Sequence, residues 1–145
     1  MREKALIHRC SFVIVITPDN KIYLPKRSKN MKNFPGYYDI GASGAKEIGE
    51  NIEDCAEREL KEELGIKNQK LKFLFEHKQR SRNDNYNAMI YMCIYDGPLT
   101  LQKDEIERGL FIPLVQLKSF LKDNEFAPGR KEILKKLIKM NITAS

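Results

Sequence analysis

The sequence predicts an α/β domain in which helices cover a mixed β-sheet. Short β-branched apolar segments of strand length alternate with segments whose apolar residues recur at helical spacing. The chain has 145 residues, the size of one ordinary domain, and no linker, repeat or low-complexity tract divides it. We therefore expect a single domain over residues 1–145.

The predicted strands are apolar segments that end at turn residues. Cys10–Thr17 is β-branched, and Pro18–Lys21 breaks it before a second strand begins at Ile22, so these strands form a hairpin. Pro25 shortens the second strand or places it near an edge. Polar or glycine-containing loops are expected at 27–36, 41–49 and 79–85, and further strands at 37–40, 71–77, 86–95 and 110–112.

Three segments have the signals of helices. The clearest helix begins after Asn51, which can cap it, and ends at Gly65. A second helix is expected over Pro113–Leu121, with proline at its first position. The third is expected over Arg130–Met140, where apolar residues recur at helical spacing.

The composition bears on the class of protein and its compartment. The longest apolar run, Phe12–Ile16, is too short to span a membrane, and the N-terminus lacks the pattern of a secretion signal. Three widely spaced cysteines form neither a disulfide framework nor a CxxC metal pair, so we expect a cytoplasmic protein. The net charge of +6 suits an anionic substrate or improved solubility, and no segment has the basic density of a nucleic-acid-binding arm.

Acidic residues are concentrated between Glu50 and Glu63. This window holds seven acids and two bases and carries a net charge of −5, whereas the rest of the chain carries +11. The acids of the first helical turns are explained by the helix dipole. Glu59, Glu62 and Glu63 lie near the C-terminal end, where the dipole disfavours acids, and they share a sector of roughly 100°. Such carboxylates suit Mg²⁺ or Mn²⁺, so this face is a predicted metal site.

A longer pattern surrounds these acids. The sequence Gly44-x5-Glu50-x7-Arg58-Glu59-Leu60-x-Glu62-Glu63-x-Gly65-Ile66 matches the Nudix box at every defined position. The chain therefore resembles the Nudix hydrolases. The resemblance implies a Nudix-like α/β/α sandwich and metal-dependent hydrolysis of a nucleoside diphosphate linked to another group.

Weaker motifs resemble one bacterial branch of that family, the branch close to isopentenyl-diphosphate isomerase. They include Pro25–Ser28, Phe34–Gly36 and Phe126–Pro128. The isomerase needs a catalytic cysteine and a metal-binding histidine before the acidic helix, but Ala42 and Ala45 occupy those positions. His8 matches another histidine of the isomerase metal site, and one histidine cannot rebuild that site. We therefore expect hydrolysis and not isomerisation.

The resemblance also implies individual roles. Glu59, Glu62 and Glu63 are expected to bind Mg²⁺ or Mn²⁺, together with the backbone carbonyl of Ser43, where many relatives have glycine. The catalytic carboxylate is expected to be Glu59 or Glu105, the latter from a downstream loop, with Glu107 as runner-up. Arg58 either forms an ordinary surface ion pair or orients a neighbouring carboxylate.

Basic residues near the predicted site are candidates for substrate binding. Lys26 and Arg27 end the second strand and either hold a substrate phosphate or form a solvated strand end. Arg80, Arg82 and Tyr86 flank a loop that could contact a nucleotide. The expected partner is a small-molecule diphosphate, and a homodimer stays open.

Two alternative functions compete with this hypothesis. Removal of a 5′ pyrophosphate or cap from RNA would use the excess basic charge, but no RNA-binding motif of a defined type is visible. A non-catalytic nucleotide-binding module would be expected to lose box carboxylates, and this chain retains them all.

Overall fold

The structure is a computed structural model that describes residues 7–81, 85–102 and 104–144. Within these ranges, strands and helices follow one another in the order expected of an α/β domain. They are β1 (His8–Ile16), β2 (Lys21–Arg27), β3 (Ala42–Ala45), α1 (Ile52–Leu64), β4 (Lys72–Arg80), β5 (Asn85–Ile94), β6 (Ile106–Pro113), α2 (Leu117–Asp123) and α3 (Arg130–Lys139). None of the helices in these ranges is long and apolar enough to cross a bilayer.

The strands form one mixed sheet in the order β4-β5-β1-β2-β6, with β3 also paired to β1. Strands β1 and β5 are parallel, and the remaining pairs are antiparallel. Helix α1 packs on one face, where Leu60 and Leu64 join Val13 and Val15 of β1. Helices α2 and α3 cover the opposite face. The predicted mixed sheet between layers of helices is therefore confirmed.

One edge of β1 is shared between two strands. β3 pairs with its first half, from Cys10 to Val13, whereas β2 meets it at Ile16. Between the two partners the chain passes through Gly41, which has φ +41°. A Cβ at this glycine would lie 1.6 Å from the carbonyl oxygen of Val13, so only glycine fits. β2 and β3 therefore pair with different parts of β1, and residues of both strands border an opening between them.

The predicted ends of α1 are confirmed. The Asn51 side chain accepts a hydrogen bond from the backbone N–H of Asp54, and Gly65 adopts the left-handed conformation that ends the helix. Four residues, Cys55, Ala56, Leu60 and Leu64, are buried against the sheet. This burial fixes the rotation of α1 and hence the direction of its carboxylates.

Three sequence-based boundaries were wrong. No strand forms at 37–40, because Tyr38 makes only isolated bridges, and the local strand is instead β3, inside the predicted glycine loop. The strand expected at 110–112 extends over Ile106–Pro113, since it pairs with the full length of β2. Pro113 consequently ends this strand, and a 3-10 turn at Leu114–Gln116 precedes the shorter helix α2.

Candidate active site

The carboxylates of Glu59 and Glu63 face β3. A Cβ on Gly44 would lie 1.8 Å from Oε2 of Glu59, so the glycine makes room for this carboxylate. The backbone N–H of Ser43 donates to Oε1 of Glu63 at 3.2 Å. Glu59 and Glu63, which are spaced i, i+4, therefore both lie against the Ser43–Gly44 segment of β3.

Arg58 links several of the acids in the motif. Its Nε donates to Oε2 of Glu50 at 2.7 Å, and its Nη2 donates to Oε1 at 3.1 Å, a two-pronged arrangement. Its Nη1 donates to Glu59 at 3.2 Å and to Glu62 at 3.1 Å. A further bond, from Nη2 to the carbonyl of Ala45 at 3.1 Å, ties the guanidinium to β3. Arg58 therefore connects α1, β3 and the Glu50 turn.

These contacts act on the pKa values of the partners. The hydrogen bonds from Arg58 lower the pKa of Glu50 to about 2. The same bonds raise the pKa of Arg58 above its ordinary value. Both groups consequently keep their charges across the physiological range.

The pKa values of Glu59 and Glu63 are raised, whereas that of Glu50 is lowered. Burial raises the pKa of Glu63 to about 9, and the neighbouring charge of Glu59 adds to the effect. Burial also raises the pKa of Glu59, against the opposing influence of its hydrogen bond with Glu63 and of Arg58. Two adjacent, partly buried carboxylates of this kind favour sharing a proton or binding a cation.

Glu62 lies apart from this pair. Its side chain is 50% exposed and turned towards Arg58. In the described ranges, no group of three His, Cys, Asp or Glu side chains converges on one point in metal-ligand geometry. The donor chemistry nevertheless fits Mg²⁺ or Mn²⁺, since Mg²⁺ usually binds through one or two carboxylates and takes its remaining ligands from water and substrate phosphates.

A cavity of about 130 Å³ adjoins Glu63 at the opening between β2 and β3. Glu63, Glu105 and Asp39 supply acidic groups to its wall, and Arg27 supplies a guanidinium. Ser43 also lines it. The backbone N–H of Ser28 donates to the carbonyl of Glu105 at 2.8 Å and so fixes the downstream loop beside β2. The structure thus brings Glu105 to the acidic helix, whereas Glu107 lines a different surface depression.

Asp39 was not among the predicted site residues. Its buried carboxylate accepts hydrogen bonds from Nε of Arg130 at 2.8 Å and from Nη1 of Arg27 at 3.3 Å. A lone acid among the apolar residues at 37–40 was an available signal in the sequence. No local pattern in the sequence indicated a role for Arg130 in the site. It follows Asp39 by 91 positions, and the position of α3 brings the two side chains together.

The basic residues that were predicted to bind substrate do not lie together in the structure. Arg27 lines the acidic cavity, but the ammonium group of Lys26 lies over the Tyr38 ring, 5.7 Å from its centroid, and does not line it. Arg80 donates to Oδ1 of Asn87 at 2.7 Å and to the Tyr86 carbonyl at 3.0 Å. Arg82, which was also considered, lies outside the described residues.

The fold and the site together define the class: an α/β enzyme whose acidic groups project from one helix beside a small cavity. Residues 7–137 match the family model described as the NUDIX domain. The chain belongs to the Nudix hydrolases, a family of pyrophosphohydrolases.

Two bacterial proteins are among the relatives of this chain. It is 33% identical over 115 residues to an uncharacterized Nudix hydrolase of Pseudomonas aeruginosa, covering 77% of this chain and 66% of the relative. It is 28% identical over 145 residues to the uncharacterized Nudix hydrolase YfcD of Escherichia coli, covering 97% of this chain and 77% of the relative.

Solved structures confirm the fold. A MutT protein from Methanosarcina mazei superposes with a TM-score of 0.80 at 15% identity, covering 97% of this chain and 99% of that one. A Deinococcus radiodurans protein superposes with a TM-score of 0.77 at 21% identity, covering 92% and 86%. At these identities the likeness shows the fold alone.

Proposed function

We propose that this enzyme hydrolyses the diphosphate linkage of a nucleoside diphosphate joined to another group, with Mg²⁺ or Mn²⁺ as cofactor. One observation carries the proposal: the partly buried Glu59–Glu63 pair is held by Arg58 and Ser43 beside a cavity that Glu105 and Arg27 also line. Acidic groups for a metal and a basic group for phosphate thus meet at one place.

Glu59 and Glu63 are the residues that would hold the metal, with Glu62 and the Ser43 carbonyl as additional donors. A bound divalent ion offsets the charge of the diphosphate and acidifies a water molecule. Arg58 keeps the Glu59 carboxylate in place through its anchorage to Glu50.

Glu105 would orient the attacking water and accept its proton, a role supported by its position in the wall of the cavity that Glu63 also lines, and Glu59 is the second candidate for that role. The water oxygen bonds to one phosphorus while the bond from that phosphorus to the bridging oxygen breaks. The bridging oxygen leaves with the other phosphate, so two phosphorylated products form. Arg27 binds a phosphate at the cavity wall, and Lys26 reaches it only if its ammonium group leaves the Tyr38 ring.

Hydrolysis is favoured over the isomerisation reaction that isopentenyl-diphosphate isomerase catalyses. The side chains at the two decisive positions, Ala42 and Ala45, carry no acid–base group. Ala42 is also fully buried, between β1 and α1. The three free cysteines are buried, which supports a reducing, cytoplasmic location. The family match over 7–137 supports a single domain within residues 1–145.

The test is a hydrolysis screen with Mg²⁺ or Mn²⁺ over sugar nucleotides, dinucleotides, nucleoside triphosphates and 5′-triphosphorylated RNA. We expect a small-molecule diphosphate to be cleaved, and Glu59→Gln and Glu63→Gln to lower kcat/KM by at least about 100-fold. Glu57→Gln, an exposed acid on the same helix, is the matched control and should leave the rate unchanged. Fully active Glu59 and Glu63 variants, or a wild type inactive on the whole panel, contradict the proposal. Preferential cleavage of RNA supports the RNA alternative instead.

A further inference from the structure

Tyr23 of β2 carries a buried hydroxyl group that lacks a hydrogen-bond partner. The residue is 1% exposed, and within the described ranges its hydroxyl is the buried side-chain polar atom left unpaired. Leaving a buried hydroxyl unpaired is unfavourable, and native proteins contain few such groups. Those that persist are often explained by a role in a functional site or by a ligand or ion that pairs with them.

Tyr23 lies on the side of β2 that borders the acidic cavity. Alternate residues of a strand share one face, so Tyr23 and Pro25 are on the same side of the sheet. The Tyr23 ring belongs to the apolar cluster that contains Leu60 and Leu64 of α1, and Pro25 lines the acidic cavity. Tyr23 is therefore the neighbour of the cavity wall on the face that α1 covers.

The Tyr23 ring is directed along the sheet towards that wall. Tyr23 pairs with Phe111 of β6, whereas Pro25 pairs with Gly109. A Cβ built on Gly109 would lie 2.7 Å from the hydroxyl oxygen of Tyr23, so the end of the ring rests over Gly109 and not over Phe111. The hydroxyl consequently lies level with Pro25, at the cavity end of the apolar cluster.

Electrostatics connects this hydroxyl with Glu63. Burial raises the pKa of Tyr23, and the charge of Glu63 raises it further, so the hydroxyl keeps its proton and can donate it to a hydrogen bond. Glu63 has room for such a donor. A carboxylate offers about four acceptor positions. Among the described residues, the backbone N–H of Ser43 is the neutral group that donates to it, at Oε1.

We propose that Tyr23 is a positioning residue for the metal site, and that its hydroxyl donates a hydrogen bond to the Glu63 carboxylate when Glu63 binds a divalent cation. This inference rests on the proposed function, in which Glu63 holds Mg²⁺ or Mn²⁺. Carboxylates that bind metals are themselves hydrogen-bonded by neighbouring groups, which fix their orientation. In the metal-loaded protein the Tyr23 hydroxyl thus gains the partner that it lacks here.

The Mn²⁺ affinity of Tyr23→Phe, measured by electron paramagnetic resonance without substrate, tests this hydrogen bond. Such contacts to metal ligands contribute about 10–100-fold in affinity, so the dissociation constant should rise about tenfold or more. Tyr95→Phe is the matched control, because Tyr95 packs on the same apolar cluster but its hydroxyl donates to the Pro98 carbonyl at 2.8 Å. The control should bind Mn²⁺ like the wild type. Unchanged affinity in Tyr23→Phe, or an equal loss in both variants, overturns the proposal.

Thermal unfolding distinguishes this role from a contribution to folding. In chelator, Tyr23→Phe should be at least as stable as the wild type, because the substitution removes the unpaired hydroxyl. Added Mn²⁺ should raise its Tm less than that of the wild type, since weaker binding stabilises the folded state less. A variant that is destabilised in chelator and gains the full increase in Tm from Mn²⁺ would give the hydroxyl a structural role only and overturn the proposal.

A double-mutant cycle on Mn²⁺ affinity tests whether Tyr23 acts through Glu63. The methyl group of Glu63→Ala accepts no hydrogen bond, so adding Tyr23→Phe to this variant should weaken binding no further. The same loss in both backgrounds would contradict a contact between the two side chains and overturn the proposal.

The two proposals fail in different ways. A wild type without saturable Mn²⁺ binding removes the metal site and the hydrogen bond together. Mn²⁺ binding and hydrolysis that need Glu63 but are unaffected by Tyr23→Phe remove the hydrogen bond alone and leave the hydrolysis standing.

Discussion

The Glu59 carboxylate occupies the space that a side chain at Gly44 would need. A Cβ built on Gly44 lies 1.8 Å from Oε2 and 2.6 Å from Cγ of Glu59. The first glycine of the motif is therefore required by the close approach of α1 to β3, and the reason is space rather than a positive φ.

Gly44→Ala should displace Glu59 and lower kcat/KM by about 100-fold, since small misplacements of catalytic groups have effects of that size. We expect little change in Tm, because the Glu59 side chain can rotate away from the added methyl group. Gly49→Ala is a suitable control: its Cβ meets open space, and the positive φ costs about 1 kcal/mol of stability without affecting the rate. Full activity in Gly44→Ala would show that the close approach is not needed.

A second prediction concerns the two acids that contact Arg58 from the turn before α1. Glu50→Gln removes the charged partner of the two-pronged contact, so Arg58 should orient Glu59 less well and kcat should fall about tenfold. Glu47→Gln should have no effect, because Glu47 is 68% exposed and lies 3.8 Å from Arg58. Mn²⁺ affinity, measured by electron paramagnetic resonance, should fall in the Glu50 variant alone. Equal effects of the two substitutions would remove this positioning role.

The third prediction is a dependence of stability on pH in the metal-free protein. The unfolded chain releases the Glu63 proton near pH 4.5, whereas the folded chain keeps it until about 9. Between these values the folded state binds more protons than the unfolded state, so the free energy of unfolding should fall as pH rises. Glu63→Gln should flatten the trend and be more stable than wild type at pH 8–9 in chelator.

Urea denaturation from pH 5 to 9 measures this trend. Added Mg²⁺ or Mn²⁺ should reduce it in the wild type, because a cation binds the ionised carboxylate. Glu62→Gln, at a half-exposed acid, should behave like the wild type. A Glu63 variant with the same pH profile as the wild type would contradict the proposed proton uptake.

The fourth prediction concerns Tyr23. Among the described residues, its hydroxyl is the buried side-chain polar atom that lacks a hydrogen-bond partner. An unpaired buried hydroxyl is destabilising, so Tyr23→Phe should raise the free energy of unfolding by about 1 kcal/mol. Tyr86→Phe should lower it by a similar amount, since that hydroxyl donates to the Pro128 carbonyl at 3.1 Å. A destabilised Tyr23 variant would indicate that the hydroxyl has a partner, such as ordered water.

Local signals in the sequence predicted the acidic helix well. Asn51 and Gly65 determine where α1 begins and ends, and the periodicity of its apolar residues determines which acids face the sheet. Contacts between residues that are far apart in the sequence were harder to predict. The pairing of β3 with β1 depends on partners 29 to 35 positions away, and the link between Arg130 and Asp39 depends on how α3 packs. The orientation of Lys26 likewise depends on features outside its own sequence: its ammonium group lies over the Tyr38 ring, and the pairing of β2 with β6 shifts register between Lys26 and Arg27.

The divergence of β2 and β3 from a shared edge of β1 has a consequence for evolvability. The opening is made by the path of the main chain and fixed by Gly41, so it does not depend on which side chains line it. Residues of the 28–36 loop that border it, such as Met31, can therefore be exchanged without closing it. A directed-evolution library aimed at a new leaving group would best randomise these loop positions while holding Gly41, Gly44 and the acidic helix constant.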